Sequence, residues 1–357
     1  MGFSFLPRPK GLIGLDIGSG AIKMAQLEKS GKGYRLQKLG MKTLDSEIIV
    51  DGTIMDAGRV IEIIKELLGE QAVKTTDVAF AVSGHSVIIK KIKLPMMSED
   101  ELEESIKWEA EQYIPFDIND VNIDFQILES FDEPEVQDQM DVLLVAVKKE
   151  KLSEYTSVVM EAGLEPVVVD VDAFTLENMF GVNYEVKEGE VVALVDIGAS
   201  MMNINIVKGG LFAFTRDIPI GGNRYNETIQ REFHLDHEQA EGVKKGESIE
   251  GVDQDAVTNI VDLLNEKIAS EVSRSFDYFK TTYTDGNIDR ILISGGGSKV
   301  SNLTAHLSEK LNIPVEAANP FRMIDIPDTL FDPEFVEEMV PLASVCVGLA
   351  LRNVGDR

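Results

Sequence analysis

Leu15-Asp16-Ile17-Gly18-Ser19-Gly20-Ala21-Ile22-Lys23 is the stretch from which the rest of the chain can be read. A short apolar run over 12–15 predicts a buried strand, and 24–27 continues with strand rather than helical character. A carboxylate therefore stands at the end of a strand, followed by a glycine-rich turn into a second strand. Such a turn points several backbone N–H groups into one small space, a concavity suited to an anion such as phosphate. Glycine keeps that space open, because a Cβ would hold a phosphate oxygen away from the amides. Asp16 would itself repel phosphate, which argues for a magnesium ion or its water shell between them.

The design occurs twice. Val195-Asp196-Ile197-Gly198-Ala199-Ser200 repeats it, and the two aspartates lie 180 residues apart (196 − 16). After the second turn Asn203 and Asn205 alternate with Ile204 and Ile206, the period of a strand. A duplicated Asp-Ile-Gly hairpin at half-chain separation predicts two related lobes that hold one nucleotide from both sides.

At 357 residues the chain exceeds one ordinary domain. Its hydrophobic fraction of 44% and charged fraction of 27% are those of a globular protein. The net charge of −28 has the wrong sign for nucleic acid and for adhesion to an anionic membrane surface. Cys346 is the one cysteine, so there is no disulfide framework and no thiolate metal cluster. No apolar run reaches membrane-spanning length, residues 1–10 lack the order of a signal peptide, and the last residues form no basic amphipathic tail. A cytoplasmic protein with no direct membrane insertion is expected.

Along the chain, 11–28 reads as the first hairpin and 34–44 as a third antiparallel strand. Val60, Ile61, Ile63, Ile64, Leu67 and Leu68 mark an amphipathic helix begun near Asp56, and 78–82 is a buried strand leading to Ser83-Gly84. From 87 the character changes. A strand with lysines at 90, 91 and 93 is followed by a capping box at Ser98 and Glu101, and by a helix carrying Leu102, Ile106, Ala110, Tyr113 and Ile114. Strands over 122–130 and 140–147, joined by an acidic loop, and a helix over 151–162 complete an inserted α+β subdomain. Bulk burial statistics place Trp108 and Tyr113 in its core. Strand 166–171 and helix 172–180 lead to the second hairpin, whose third strand is 211–218. Helices over 224–233, 238–245 and 255–283, a strand 290–294 ending in Gly295-Gly296-Gly297-Ser298, a helix through Leu303 and Leu307, a short strand 313–315 and a closing helix 341–352 follow. The expected division is a first lobe over 1–86, the insert over 87–163, a first-lobe return over 164–189, a second lobe over 190–340 and a closing segment over 341–357.

Asp16-Ile17-Gly18, Asp196-Ile197-Gly198 and Ile293-Ser294-Gly295-Gly296-Gly297 lie in the order and spacing of the actin, heat-shock-chaperone and sugar-kinase ATPase superfamily, and resemble its two phosphate motifs and its adenosine motif. The insert sits where the bacterial division protein FtsA carries its displaced subdomain. Glu109-Ala110-Glu111-Gln112-Tyr113-Ile114-Pro115-Phe116 and Val168-Val169-Asp170-Val171-Asp172-Ala173-Phe174 resemble the PilM family, the FtsA-like cytoplasmic proteins of type IV pilus assembly. The likeness covers essentially the whole chain. It implies an α/β actin-like ATPase fold, two duplicated lobes around a nucleotide cleft with an FtsA-type insert.

By position, the resemblance implies that Asp16, Gly18, Ser19 and Gly20 meet the β- and γ-phosphates of ATP, with Lys23 in the same hairpin and Asp196, Gly198, Ala199 and Ser200 opposite. Asp16 and Asp196 would hold Mg²⁺. Glu241 and Lys244, with Lys245 adjacent, resemble the Glu-x-x-Lys helix that contacts adenosine, and Gly295, Gly296, Gly297 and Ser298 would let adenine lie on bare backbone. Asp172 falls where the superfamily orients the attacking water, and Asn203 where actin has a second such side chain. Each has a structural rival: Gly18 and Gly20 also fit an ordinary hairpin turn, Glu241 and Lys244 an i,i+3 surface ion pair, and Asp172 a helix cap. No Gly-x-x-x-x-Gly-Lys-Ser/Thr occurs, and Gly18-x-Gly20 lacks the third glycine of a dinucleotide fingerprint.

The family implies an ATP-binding scaffold with at most slow hydrolysis. It would be peripheral to the inner membrane through its partner, the cytoplasmic N-terminus of a bitopic PilN-like protein, with other pilus components as further partners. A small-molecule kinase and an FtsA-like filament former share the fold as alternatives. A groove between insert and first lobe, rimmed by Glu99, Asp100, Glu103 and the 117–124 carboxylates, is the expected peptide site.

Overall fold

The computed structural model describes residues 11–128, 138–282 and 286–355. The acidic loop of the insert, the first ten residues and Tyr283 lie outside the described residues. The first lobe opens with an antiparallel meander, β1 (Ile13–Ile17), β2 (Ala21–Ser30) and β3 (Gly33–Thr43). A two-residue-arm hairpin follows, β4 (Ile49–Val50) and β5 (Thr53–Ile54), which the sequence pattern does not mark. Helix α1 (Ala57–Glu70) starts where Asp56 caps the Arg59 amide, and β6 (Asp77–Val82) returns parallel to β1.

The insert is a three-stranded sheet in the order β7 (Val87–Pro95), β9 (Gln139–Lys148), β8 (Val121–Leu128), with α2 (Glu99–Glu111) on one face. The Ser98–Glu101 capping box is present with both of its bonds. Leu102, Ile106 and Ala110 pack on Ile92, Leu94, Val142, Leu144 and Ala146, whereas Val87, Ile89, Val145 and Val147, on the opposite face, pack against the first lobe. Trp108 is two residues beyond Ile106, about 200° around the helix, and is 78% exposed. The expectation of Trp108 in the insert core is therefore wrong; Tyr113 does pack there. Helix α3 (Lys149–Glu161) puts Tyr155, Val158 and Val159 into the first-lobe core, although its sequence adjoins the insert.

Strand β10 (Glu165–Val171) and helix α4 (Asp172–Asn183) complete the first lobe. The second lobe repeats the plan with β11 (Val191–Ile197), β12 (Met202–Lys208) and β13 (Leu211–Ile218). Helices α5 (Asn223–Phe233), α6 (His237–Lys244) and α7 (Gln254–Thr282), strand β14 (Arg290–Ser294), helix α8 (Leu303–Leu311) and strand β15 (Val315–Ala317) follow. The chain then crosses back: β16 (Ile324–Asp325) joins the first sheet beside β3, and α9 (Pro333–Met339) leads to α10 (Ser344–Ala350).

The two sheets have one topology, β3-β2-β1-β6-β10 and β13-β12-β11-β14-β15, each a meander whose first strand pairs parallel with a later one. Alternation sets their faces. Ile13, Leu15 and Ile17 look outward to α1 and α3, and Val191, Ala193, Val195 and Ile197 look outward to the helices of the second lobe. Leu12, Val192 and Leu194 look inward to a shared core built on α4 and α10. Gly14 and Gly348 let α10 wedge in: a Cβ on Gly14 would fall 2.1 Å from the Cys346 carbonyl oxygen, and one on Gly348 would fall 1.9 Å from that of Thr175.

Candidate functional site

The same period of two that buries Leu12 and Val192 inward must turn Asp16 and Asp196 inward as well, each at the carboxyl end of its strand. Both hairpins close identically: the Gly18 N–H donates to Ala21 O at 3.1 Å and the Gly198 N–H to Met201 O at 2.8 Å. The amides of Ser19, Gly20, Ala199 and Ser200 donate no hydrogen bond to the described residues, so four donors are left for an outside acceptor. The two turns meet tip to tip, since a Cβ on Gly20 would lie 2.9 Å from the Ala199 Cβ.

Lys23 stands opposite Asp16 across β1 and β2 and hydrogen-bonds its carboxylate. Burial pulls the Lys23 ammonium down, but Asp16 and then Asp196 outweigh it, and the net shift is upward. Asp196 accepts from the Ser294 hydroxyl at 2.7 Å. Its carboxyl is raised by burial, against the pull of Ser294 and Lys23. Asp172 occupies the first turn of α4 without capping it; Val171 is the cap residue and makes no side-chain bond. Burial first, then the Asp16 charge, push its carboxyl up to about 7, a Ser83 hydrogen bond opposing and Asp217 and Asp196 adding. Of the rival readings, helix capping is thus not what this side chain does. Asn203 pairs across strands with Asp196 on one side and Asp217 on the other, and its Nδ2 donates to Asp217 Oδ1 at 2.5 Å.

The other end of the cleft is organised by Glu241. Its carboxylate holds Lys244, Lys245 at 3.1 Å and the Asn226 amide at 2.8 Å. Burial would raise it, yet Lys244, Asn226 and Lys245 hold it down at about 2. The i,i+3 ion pair therefore exists, with its lysine end buried: Lys244 is 3% exposed, its ammonium close to Gly222, whose N–H donates to Gly198 O of the second hairpin at 2.9 Å. In the turn after β14, Gly295 (φ +82°) and Gly297 are glycines because Ile197 of β11 leaves no room for a Cβ, at 2.4 and 2.3 Å. At Gly296 a Cβ would meet only Leu342, at an ordinary 3.9 Å, and the Ser298 hydroxyl bonds Gly295 O at 2.7 Å.

The carboxylates of Asp16, Asp217 and Asp196 thus all bear on Asp172, with the Lys23 ammonium beside Asp16 and Asp196 and the Lys151 ammonium within reach of the Asp172 charge. Among the described residues no three His, Cys, Asp or Glu side chains are grouped to hold a metal ion. Magnesium ordinarily takes one or two carboxylates and completes its shell with phosphate oxygens and water, so Asp16 and Asp196 fit that chemistry. Ser83, Asp217 and Asn226, which no motif singled out, bond the candidate residues, as does Ser294, which the sequence marks only as part of the motif around Gly295. Strand pairing brings Ser294 and Asp217 into one row with Asp196 and Asn203, a register no local pattern announces. Part of the expected acidic rim is misplaced: Glu99, Asp100 and Glu103 ride on α2, on the insert face turned away from the first lobe, whereas Asp124 pairs with Val145 on the lobe-facing side.

No helix of the described residues is long and apolar enough to cross a membrane. The chain is similar to a chain of a PilM–PilN type IV pilus biogenesis complex, at 29% identity and TM-score 0.87, over 98% of this chain and 100% of that one. It shares its fold with the ethanolamine utilization protein EutJ from Carboxydothermus hydrogenoformans (18% identity, TM-score 0.57, 98% and 91% covered). The same holds for MreB 5 of Spiroplasma citri, solved with AMPPNP bound (14%, TM-score 0.52, 96% and 95% covered). The fold is actin-like. A family model described as type IV pilus assembly protein PilM matches residues 14–354, and this chain belongs to that family.

Proposed function

We propose that this protein is an ATP-binding, actin-like scaffold of the type IV pilus inner-membrane platform, and that it recruits the cytoplasmic N-terminus of a PilN-like protein. The observation that carries the reading is the pair of facing hairpins with four unused amides, in a chain whose full length resembles one from a PilM–PilN complex. Ser19, Gly20, Ala199 and Ser200 would grip the phosphates through backbone, with Gly18 and Gly198 shaping the turns and Lys23 contributing charge. Mg²⁺, held by Asp16 and Asp196, would supply the positive charge that lets phosphate approach so many carboxylates. Glu241, Lys244 and Lys245 would define the ribose and base side, with Gly295 to Ser298 beneath the base. Asp172 and Asn203 would place a water, and turnover should be slow because Lys23, bonded to Asp16, does not stand in for the Walker lysine or arginine finger that stabilises charge developing on the γ-phosphate. The protein would work in the cytoplasm, held at the membrane by its partner. The peptide site would lie between the first lobe and the insert face bearing Lys91, Lys93, Asp124 and Asp141.

Calorimetric titration with MgATP tests the core of this reading. At a hundredfold excess over Kd, binding to the folded state alone raises stability by about 2.7 kcal/mol. Omitting Mg²⁺ should weaken binding, and so should Asp196→Asn. Asp16→Ala is a poorer probe, because it strips Lys23 of its partner. Absence of ATP binding by well-folded protein would sink the proposal.

A further inference from the structure

Ser294, Asp196, Asn203 and Asp217 lie side by side on β14, β11, β12 and β13. The row does not stop at the edge of its sheet. One oxygen of Asp217, Oδ1, takes the Asn203 amide; the other, Oδ2, accepts the backbone N–H of Gly84 in the first lobe at 2.6 Å. Gly84 has φ +83°, a conformation that glycine adopts freely, and this aims its amide across the cleft. It is also the root of the insert. Its carbonyl accepts the Val87 N–H at 2.9 Å, and the Ser86 carbonyl accepts the Lys148 N–H at 3.0 Å, tying the outgoing strand to the returning one. Ser83, just before it, bonds Asp172. Residues 83–86 therefore touch the candidate water-orienting carboxylate, the second lobe and both ends of the insert.

We infer that Asp217 is a clasp through which the state of the nucleotide cleft sets the orientation of the insert. A bond to a carboxylate is about twice as strong as one between neutral groups, and this one exists only while the lobes stand at one separation. Asn203 is the movable part. It is 6% exposed, its Oδ1 has no partner among the described residues, and its Nδ2 bonds Asp217. A ligand group arriving beside Asn203 offers that amide a new partner and so competes for the bond that holds Asp217 toward Gly84. The clasp then has two arrangements, which is the physical requirement for coupling two sites. Ligand occupancy of the cleft and peptide capture at the insert become linked, and the link is reciprocal. Asp217 acts as a positioning residue here. This coupling rests on the functional reading above; the clasp itself does not.

Amide hydrogen exchange on the full chain without ligand reads the clasp. Asp217→Ala should speed exchange at least tenfold over 83–88 and at 145–149, leaving β11 and β14 unchanged. Asp217→Asn, which keeps one acceptor oxygen for two donors, should fall between, and it serves if the alanine variant does not fold. Unchanged exchange over 83–88 in the variant overturns the clasp. For coupling, the affinity of a PilN-like N-terminal peptide is measured with and without saturating MgATP. Wild type should show a ratio of about fivefold or more, the lower end of ordinary coupling. Asp217→Ala should bring the ratio within about twofold of unity, whatever the change in either affinity taken alone. A ratio retained in the variant, or near unity in wild type that binds both ligands, overturns the coupling. Failure of wild type to bind MgATP or peptide would overturn the functional reading instead, with the exchange experiment still deciding the clasp.

Discussion

Asp172 is held by Ser83 at the first turn of α4 while Asp16, Asp217 and Asp196 crowd it, and its carboxyl titrates near 7 rather than near 4. The folded chain therefore binds that proton more tightly than the unfolded chain does. The stabilisation is complete below about pH 4 and is lost as pH rises through 7. Asp172→Asn keeps the shape and an acceptor for Ser83 but removes the charge. The variant should exceed wild type in stability at pH 8 by about 1–2 kcal/mol, less than the full shift implies because the cleft admits water. That advantage should shrink steadily as pH falls toward 4. Urea unfolding at pH 5, 6.5 and 8 checks this; a difference independent of pH would mean that Asp172 is solvated like any surface carboxylate.

Helices α4 and α10 join the two lobes, and α10 reaches α4 closely only because residue 348 has no side chain. A Cβ there would meet the Thr175 carbonyl at 1.9 Å, backbone that cannot step aside. Gly348→Ala should cost about 3 kcal/mol or more, at the top of the range for overpacking. Gly181, on the same α4, provides the control. Nothing lies within 4 Å of its would-be Cβ, so Gly181→Ala should stabilise by about 0.5–1 kcal/mol through helix propensity alone. Opposite signs in chemical denaturation would establish that the α4–α10 contact, not glycine content, governs this joint. Equal effects would count against it.

Sixty-two acidic residues against thirty-four basic ones give the folded molecule a charge of −28, and much of that charge must be brought together on folding. Self-repulsion destabilises a compact state and is screened by salt, with a Debye length falling from ~30 Å at 0.01 M to ~8 Å at 0.15 M. Raising KCl over that interval should therefore lift the melting temperature, by ~2–4 °C for each 1 kcal/mol gained. A melting temperature that falls with added KCl would mean that ion pairs such as Arg290–Glu190 and Lys42–Glu70 outweigh the net repulsion.

What the sequence determined by itself was whatever depends on near neighbours. The apolar run over 12–15 and the glycine turns after Asp16 and Asp196 announced two strand hairpins, and Ser98 with Glu101 announced the start of α2, because apolar runs, turns and capping are set within a few residues. The 180-residue repeat carried this to two lobes of one topology. Tertiary structure decided the rest. The apolar stripe of α3 says that the helix is buried but not in which core, and it went to the first lobe rather than to the insert beside it. Which face of the insert sheet α2 would cover was equally open, and the choice moved the acidic helix away from the groove. Gly295 and Gly297 are glycines for the sake of Ile197, almost a hundred residues earlier. Ser294, Asp217 and Gly84 meet the site through strand register and lobe docking. Contacts between residues far apart in sequence have no period and no local signature, since only the packing of whole sheets brings them within bonding distance.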